Sequence, residues 1–208
     1  ARLLALCRMN PSKVRVIPNC VGPEFTALPK PWPSGKPRLL QVGTTDNKNL
    51  ARVVEACAGL SIQVAILGKL TKAQREHLDL QGVDYEEFCN LSKDKVVALY
   101  ATSDLVVFVS TYEGFGLPII EAQAVGRPVL TSDISPMREV AGGGALLVDP
   151  FNVESIRAGL LRLIEVAGLR EKLVAEGFRN VRQYSASAVA MQYATLYREV
   201  LDCEARKL

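Results

Sequence analysis

The chain has 208 residues, of which 49% are hydrophobic, and this is enough for one well-packed globular core. Its 25 basic and 22 acidic residues give a net charge of +3 without a long basic run, so nucleic-acid binding has little support. The five cysteines are odd in number and form no CxxC pair, which argues against a zinc site or a disulfide framework and favours reduced thiols in the cytoplasm.

The first 37 residues are predicted to lie outside the main domain. Residues 1–8 begin without Met and are typical of the end of a helix, so we expect the sequence to start inside a larger protein. The segment Phe25–Pro37 holds four prolines around Trp32, which excludes a helix or a central strand and predicts an ordered or mobile linker. We therefore interpret residues 1–37 as the end of a preceding lobe followed by an interdomain linker.

Residues 38–185 contain short apolar runs that alternate with amphipathic stretches, which is the pattern of strands joined by helical crossovers. Six strands are predicted, at Arg38–Val42, Gln63–Leu67, Asp84–Phe88, Leu105–Val109, Val129–Thr131 and Ala145–Val148. The helices predicted between them are Asn49–Ala58, Lys72–Leu80, Lys93–Thr102 and Pro118–Val125. The fold class is therefore α/β, a Rossmann-like parallel six-stranded sheet flanked by helices.

Three more helices are predicted after the last strand. Asn152 can cap the first of them, whose apolar residues share one stripe, and Leu169–Val181 repeats the amphipathic pattern. A long final helix is predicted from Ala186 to Glu204, because its apolar residues recur at steps of three and four. It forms most of a separate C-terminal segment, residues 186–208.

Four loops that carry glycine or polar residues follow predicted strands. They are Gly43–Thr45, Gly68–Lys69, Glu113–Gly116 and Asp133–Met137, after the first, second, fourth and fifth strands. In open parallel sheets, ligands bind outside the carboxyl ends of the strands. We therefore expect these loops to converge on one crevice.

The most informative motif spans Ser110–Glu121 and places a glycine turn between a strand and a helix. Pro118 is tolerated in a first helical turn, so the glycine turn lies at a helix N-terminus, where the amides of residues 114–117 can bind an anion such as a phosphate. Carboxylates repel phosphate. Glu113 and Glu121 are therefore better suited to accept hydrogen bonds from the hydroxyls of a sugar and of a ribose.

The segment from Glu113 to Glu121 (EGFGLPIIE) resembles the two-glutamate motif of the retaining glycosyltransferases with the GT-B fold, the group 1 glycosyltransferases. The likeness extends to Val16–Asn19 (VIPN), Val42–Asn49 (VGTTDNKN), Gly126–Val129 (GRPV) and Glu139–Gly142 (EVAG). The resemblance implies that the chain is the C-terminal, donor-binding lobe of such an enzyme. The whole enzyme would transfer a sugar from a nucleotide-diphosphate sugar to an acceptor hydroxyl with retention, and the isolated domain would bind but hardly turn over.

The same resemblance implies the partners. The donor would be a UDP-, GDP- or ADP-sugar, bound without a metal or other cofactor. Most of the acceptor site would lie on a missing N-terminal lobe of the same protein, and the C-terminal helix would pack toward that lobe. The enzyme would be cytoplasmic, with contact to a membrane surface through the missing lobe left open.

Residue roles also follow from the resemblance. Lys48 with Asn49 would contact the diphosphate and Glu113 would lie near the donor sugar, so Lys48 and Glu113 are the expected catalytic residues. Glu121 would bind the ribose hydroxyls; alternatively, a glutamate in a first helical turn stabilises the helix dipole. The expected donor-binding residues are Gly43, Thr44, Lys48, Asn49, Gly68, Lys69, Phe88, Glu113, Gly114, Phe115, Gly116, Leu117 and Glu121.

Some positions allow more than one interpretation. Many family members carry an arginine shortly before the lysine of this loop, whereas this chain has Thr44. One basic contact to the diphosphate is therefore absent or is supplied by another residue, for which Lys69 is the candidate. Phe88 can stack on a base or belong to the core. His77, the single histidine, is expected at the surface and away from the motif loops.

Two alternative functions remain open at this point. A nucleotide-sugar binding module without catalysis would fit both the absent arginine and the missing lobe. A nucleotide-sugar epimerase with the GT-B fold would need catalytic histidines, and this chain has one. An oxidoreductase is disfavoured, because no GxGxxG fingerprint follows the first strand.

Overall fold

The computed structural model describes residues 10–205, with side chains described through Asp202. At its centre is a six-stranded sheet in which each pair of neighbouring strands is parallel. The strands are β1 (Arg38–Val42), β2 (Gln63–Leu67), β3 (Asp84–Phe88), β4 (Leu105–Phe108), β5 (Val129–Ser132) and β6 (Leu146–Val148). Their spatial order is β3-β2-β1-β4-β5-β6, which confirms the predicted α/β class and the six-stranded sheet.

Helices flank this sheet, close to their predicted bounds. They are α1 (Leu50–Cys57), α2 (Lys72–Leu80), α3 (Lys93–Thr102), α4 (Leu117–Val125), α5 (Met137–Ala141), α6 (Val153–Glu165), α7 (Ala167–Val181) and α8 (Ala186–Ala205). Short 3₁₀ turns occupy Pro11–Lys13, Asp46–Lys48 and Arg182–Tyr184. The helix α5 is absent from the sequence prediction; it forms where Met137, Val140 and Ala141 are buried against the sheet.

Two apolar cores cover the two faces of the sheet. Along β4, every side chain is at most 1% exposed, and successive side chains enter opposite cores. Leu105 and Val107 pack with residues of α1 and α6, whereas Val106 and Phe108 pack with residues of α4 and α5. A continuous apolar run is what a central parallel strand needs, because both of its faces are buried.

The strand order reverses direction between β1 and β4. The chain runs outward from β1 to β2 and β3, and then returns to place β4 on the other side of β1. Crossovers leave the sheet in opposite directions at such a switch point, and a crevice opens outside the carboxyl ends of the two strands. The loops after β1 and β4 therefore border one crevice, as the sequence predicts.

The proline-rich segment packs along the domain. Phe25 is buried, and its ring meets the ring of Tyr100 edge-on at a centroid distance of 5.4 Å. Trp32 lies beneath the guanidinium of Arg170, 3.8 Å from the ring centroid, which is a close cation–π contact. Of the two alternatives left by the sequence, the structure therefore favours an ordered linker. The predicted helix end at residues 1–8 lies outside the described residues.

Arg127 fastens this segment to the domain. Its side chain is only 3% exposed, and it donates hydrogen bonds to the carbonyl oxygens of Leu28 (2.8 Å), Tyr100 (3.1 Å), Ala101 (2.8 Å) and Gly126 (3.3 Å). The amide of Leu28 in turn donates to Val125 O at 3.2 Å. A planar guanidinium has five fixed N–H donors, which suits this convergence of carbonyl groups.

The C-terminal helix α8 presents apolar side chains to solvent. Met191 is 70% exposed, and Tyr197 and Leu201 are also largely exposed. The exposed Val16, in the segment before β1, borders the same groove as Met191. Across the part of the chain that the structure describes, no helix is both long enough and apolar enough to span a membrane.

Candidate functional site

The loop after β1 brings Lys48 across Gly43. The amide of Gly43 donates to Leu67 O at 2.7 Å, and its φ of 92° lies in the left-handed region that favours glycine. A Cβ atom added at Gly43 would lie 2.7 Å from Cγ of Lys48. The glycine therefore gives the backbone its turn and leaves room for the lysine side chain.

Lys48 and Glu113 form an ion pair at the switch point. The Lys48 Nζ atom lies 2.6 Å from Glu113 Oε1, and the two side chains are only 20% and 14% exposed. The same ammonium lies 4.7 Å from the centre of the Phe108 ring. The structure thus brings together the two residues predicted to be catalytic, although 65 positions separate them in sequence.

Asn47, which is not among the residues predicted from the sequence, joins the two loops. Its side-chain nitrogen donates to Glu113 Oε1 at 3.2 Å and to Tyr112 O at 3.0 Å, and its carbonyl oxygen accepts from the Thr111 amide at 2.8 Å. Glu113 is therefore oriented by a neutral amide as well as by Lys48. The one available signal is the position of Asn47 beside Lys48 in the predicted loop.

The glycine turn leads into α4 as the sequence predicts. Gly116 precedes the helix with a φ of 117°, Leu117 begins it, and Pro118 follows in its first turn. Phe115 anchors the turn by an edge-on contact with the Tyr184 ring at 5.8 Å. Within residues 10–205, the amides of residues 114–117 donate no hydrogen bond to protein atoms. These four donors and the positive end of the helix dipole are suited to an anion.

Glu121 lies in the second turn of α4, not the first. The first turn holds no acidic residue, so the alternative interpretation of Glu121 as a first-turn dipole group is wrong. Its Oε2 atom instead accepts a hydrogen bond from Tyr100 Oη at 2.7 Å. Burial raises the pKa of the Glu121 carboxyl and Glu24 raises it further, whereas the Tyr100 hydrogen bond and the charge of Lys93 lower it.

Asn49 is committed to contacts within the protein. It is 4% exposed, adopts a left-handed φ of 60°, and donates its side-chain amide to Val109 O (3.0 Å) and Pro150 O (2.7 Å). Its Oδ1 atom accepts from Arg52. The side chain therefore holds three segments together, and this geometry does not favour the predicted contact of Asn49 with a diphosphate.

Thr44 connects the first loop to the second. Its hydroxyl donates to Lys69 O at 2.8 Å, and a Cβ atom at Gly68 would lie 2.8 Å from Thr44 Cγ2. Gln74 donates to Thr44 O at 2.7 Å. The backbone of Lys69 is thus fixed beside the first loop, while its side chain is exposed. That Lys69 supplies the basic contact of the absent arginine stays a prediction.

Phe88 and His77 lie away from the ion pair. The half-buried ring of Phe88 packs on the core beneath α3, with the Arg38 guanidinium 5.4 Å from its centroid, which favours the core interpretation. His77 is half-buried at the surface, and its Nε2 atom lies 3.8 Å from Glu55 Oε1. Contrary to expectation, it borders a cavity that also touches Thr45 in the first loop. Among the described residues, no group of three or more His, Cys, Asp or Glu could hold a metal ion.

The comparisons with known proteins agree with this architecture. The family model of group 1 glycosyl transferases matches residues 26–179. O-antigen chain mannosyltransferase B of Escherichia coli is 37% identical over 100 residues, which are 48% of this chain and 26% of that protein. The chain spans 26% of this curated relative, so it corresponds to a part of that protein.

Two solved structures share the fold. Sucrose-phosphate synthase from Thermosynechococcus elongatus gives a TM-score of 0.82 at 19% identity, over 97% of this chain and 56% of that one. HepE from Anabaena, solved in complex with UDP and glucose, gives a TM-score of 0.69 at 18% identity, over 79% of this chain and 49% of that one. Because the family model covers most of the sequence and the fold agrees with it, the chain belongs to the group 1 glycosyl transferases.

Proposed function

We propose that this chain is the donor-binding half of a retaining glycosyltransferase that uses a nucleotide-diphosphate sugar. The observation that carries the proposal is the placement of Lys48 and Glu113 beside four unbonded amides, all at the switch point of the sheet. The Anabaena structure of the same fold contains UDP and glucose, which supports a donor of this class. The donor is a UDP-, GDP- or ADP-sugar.

In the proposed reaction, the protein stabilises the charge that develops on the departing diphosphate. The Lys48 ammonium and the N-terminus of α4 supply positive charge near the leaving group, which is electrostatic stabilisation of a transition state. Glu113 orients the sugar by accepting hydrogen bonds from its hydroxyls. The acceptor hydroxyl attacks the anomeric carbon as the bond to the diphosphate breaks, with retention, and a leaving phosphate oxygen takes the acceptor's proton.

The rest of the active site would come from a second lobe. Exposed apolar side chains on α8 and at Val16 border a groove of about 450 Å³, which supports contact with further protein. We assign residues 1–37 and 186–208 to the connection with that lobe, and residues 38–185 to donor binding. On this proposal the isolated domain binds donor with little turnover, and any contact with a membrane surface is made by the other lobe of a cytoplasmic enzyme.

A non-catalytic nucleotide-sugar binding module is the second candidate. One observation favours it: the Thr44 hydroxyl is already bonded to Lys69 O, close to the place where the family resemblance leads us to expect an arginine. Sugar transfer by the complete protein separates the two functions. Donor binding without any transfer or donor hydrolysis by the complete protein would favour the module.

A thermal-shift panel of UDP-, GDP- and ADP-sugars tests the donor site. A ligand that binds only the folded state stabilises it by RT ln(1 + [L]/Kd), which is about 2.7 kcal/mol at a hundredfold excess over Kd. We expect the nucleotide sugars of one base to raise the melting temperature in a concentration-dependent manner, and NAD to leave it unchanged. Identical melting curves across the panel, up to millimolar ligand, would overturn the proposed donor site.

A further inference from the structure

Tyr100 is the donor of a buried hydrogen bond to the site. It lies in α3 with no exposed surface, and its Oη atom donates to Glu121 Oε2 at 2.7 Å. Burial raises the pKa of the Tyr100 phenol well above its usual range, and the Glu121 charge acts in the same direction. The phenol therefore keeps its proton and serves only as a donor to the carboxylate.

Tyr100 is held through both its ring and its main chain. The Phe25 ring meets its ring edge-on at 5.4 Å, and the Arg127 guanidinium donates to its carbonyl oxygen at 3.1 Å. The linker thus contacts the Tyr100 ring, and Arg127, which follows Gly126 at the end of α4, fixes the Tyr100 main chain. A donor fixed in this way determines where its acceptor sits.

The two oxygens of Glu121 are unequal. Oε2 accepts the hydrogen bond from Tyr100. Oε1 accepts no hydrogen bond from residues 10–205, and it is not enclosed by protein atoms. Oε1 is thus the oxygen open to a ligand. An ionised carboxylate offers about four acceptor positions, so the inner hydrogen bond leaves enough for two ligand hydroxyls.

We propose that Tyr100 is a positioning residue that orients the Glu121 carboxylate toward the vicinal diol of the nucleotide ribose. This rests on the donor site proposed above and adds a residue that never touches the ligand. Without the phenol, the carboxylate can rotate and its inner oxygen is left unbonded in an enclosed place. Recognition of the hydroxyls would then weaken, while contacts to the diphosphate would remain.

The test compares two ligands by calorimetry: the nucleoside diphosphate identified by the thermal-shift panel, and its 2′,3′-dideoxy form. The ratio of their affinities reports hydroxyl recognition alone. We expect Tyr100→Phe to lower this ratio by about tenfold, a typical effect of one hydrogen bond to a charged group, with the dideoxy affinity unchanged. The matched control is Tyr193→Phe on α8, which makes the same chemical change at a 44% exposed tyrosine whose ring packs beside Tyr197 and should keep the wild-type ratio.

The outcomes separate this inference from the donor site itself. If wild type binds neither ligand, the proposed function fails, and the role of Tyr100 with it. If Glu121→Gln lowers the affinity ratio to about one but Tyr100→Phe keeps the wild-type ratio, the donor site stands and the positioning role is overturned. If Tyr100→Phe does not fold, Glu121→Asp replaces it, because the shorter carboxylate loses the phenol while the Tyr100 ring stays packed. A folded Glu121→Asp with the wild-type ratio would also overturn the role.

Discussion

The Lys48 ammonium and the Glu113 carboxylate lie 2.6 Å apart in an ion pair that is mostly shielded from solvent. Each group neutralises the other, so a diphosphate must compete with Glu113 for Lys48. Shielding strengthens this competition relative to an exposed pair, because the effective dielectric constant is lower. The pair therefore couples the sugar end of the proposed donor site to the diphosphate end, and two variants test the two ends separately.

Lys48→Ala should weaken nucleoside diphosphate binding by about 1.5–3 kcal/mol, the range for hydrogen bonds to charged groups. Calorimetry measures the change. Lys72→Ala is the control, because Lys72 is 90% exposed and pairs with Glu76 on the surface of α2. Unchanged affinity in the Lys48 variant would exclude a diphosphate contact by this residue.

Glu113→Gln should have the opposite effect on a ligand that lacks the transferred sugar. Removing the carboxylate frees Lys48, so we expect nucleoside diphosphate affinity to rise by roughly threefold to tenfold, while sugar transfer by the complete enzyme falls. Glu76→Gln removes the acid of an exposed pair and should change neither quantity. A loss of nucleoside diphosphate affinity in Glu113→Gln would contradict competition between the carboxylate and the phosphate.

Gly43→Ala should displace Lys48. The added Cβ atom meets the lysine side chain at 2.7 Å and the backbone is left-handed, so both stability and nucleotide affinity should fall, the latter toward that of Lys48→Ala. Gly59→Ala is matched, because its φ is 72° but nothing lies within 4 Å of the new atom. This control should lose about 1 kcal/mol of stability through backbone strain and keep its affinity. Equal affinities in the two variants would show that Lys48 does not depend on Gly43.

Binding of the nucleotide sugar should depend on pH through Glu121. Burial raises the pKa of this carboxyl, Glu24 adds to the rise, and Tyr100 and Lys93 oppose it, so Glu121 takes up a proton at a higher pH than an exposed glutamate. A protonated carboxyl accepts hydroxyls poorly. Affinity should therefore decrease as the pH is lowered from neutrality through this raised pKa, and Glu121→Gln should remove the dependence when the two proteins are compared over the same pH range.

The same titration affects the stability of the fold in the opposite direction. Because the pKa of Glu121 is higher in the folded chain than in the unfolded chain, its contribution to stability is greatest at low pH and is lost as the pH rises through the raised pKa. The difference in unfolding free energy between wild type and Glu121→Gln should show this sign. If affinity and stability instead changed in the same direction with pH, this would argue against Glu121 as the titrating group.

Arg127→Lys should destabilise the domain although it keeps the charge. A lysine cannot reach the carbonyl groups that the guanidinium joins, so we expect a loss of about 2–4 kcal/mol in the free energy of unfolding by urea. Arg138→Lys is the control: its side chain is 53% exposed and pairs with the exposed Asp133, so its denaturation midpoint should be unchanged. Equal midpoints for both variants would show that the Arg127 hydrogen bonds contribute little.

The sheet and the meeting of Lys48 with Glu113 could be predicted from sequence, because both depend on short-range patterns. Apolar runs predict the parallel strands, and the loops that follow parallel strands lie at the same edge of the sheet, outside the carboxyl ends of the strands. The Tyr100–Glu121 bond could not be predicted, since it depends on how α3 and α4 pack. The contacts of Asn49 could not be predicted for a similar reason: the resemblance places Asn49 with Lys48 at the diphosphate, whereas its partners within the protein, Val109 O and Pro150 O, are brought to it only by tertiary folding.

The packing of the linker affects how the domain can be cut. A recombinant fragment that starts at Arg38 would lack Phe25 and the Leu28 carbonyl, which contact Tyr100 and Arg127 respectively. It would also lack the bond from the Val21 amide to Tyr184 O, beside the glycine turn. Such a fragment would keep every residue of the proposed donor set, and we expect it to have an altered proposed site. A fragment that preserves these contacts must therefore begin before Val21, well upstream of the first strand.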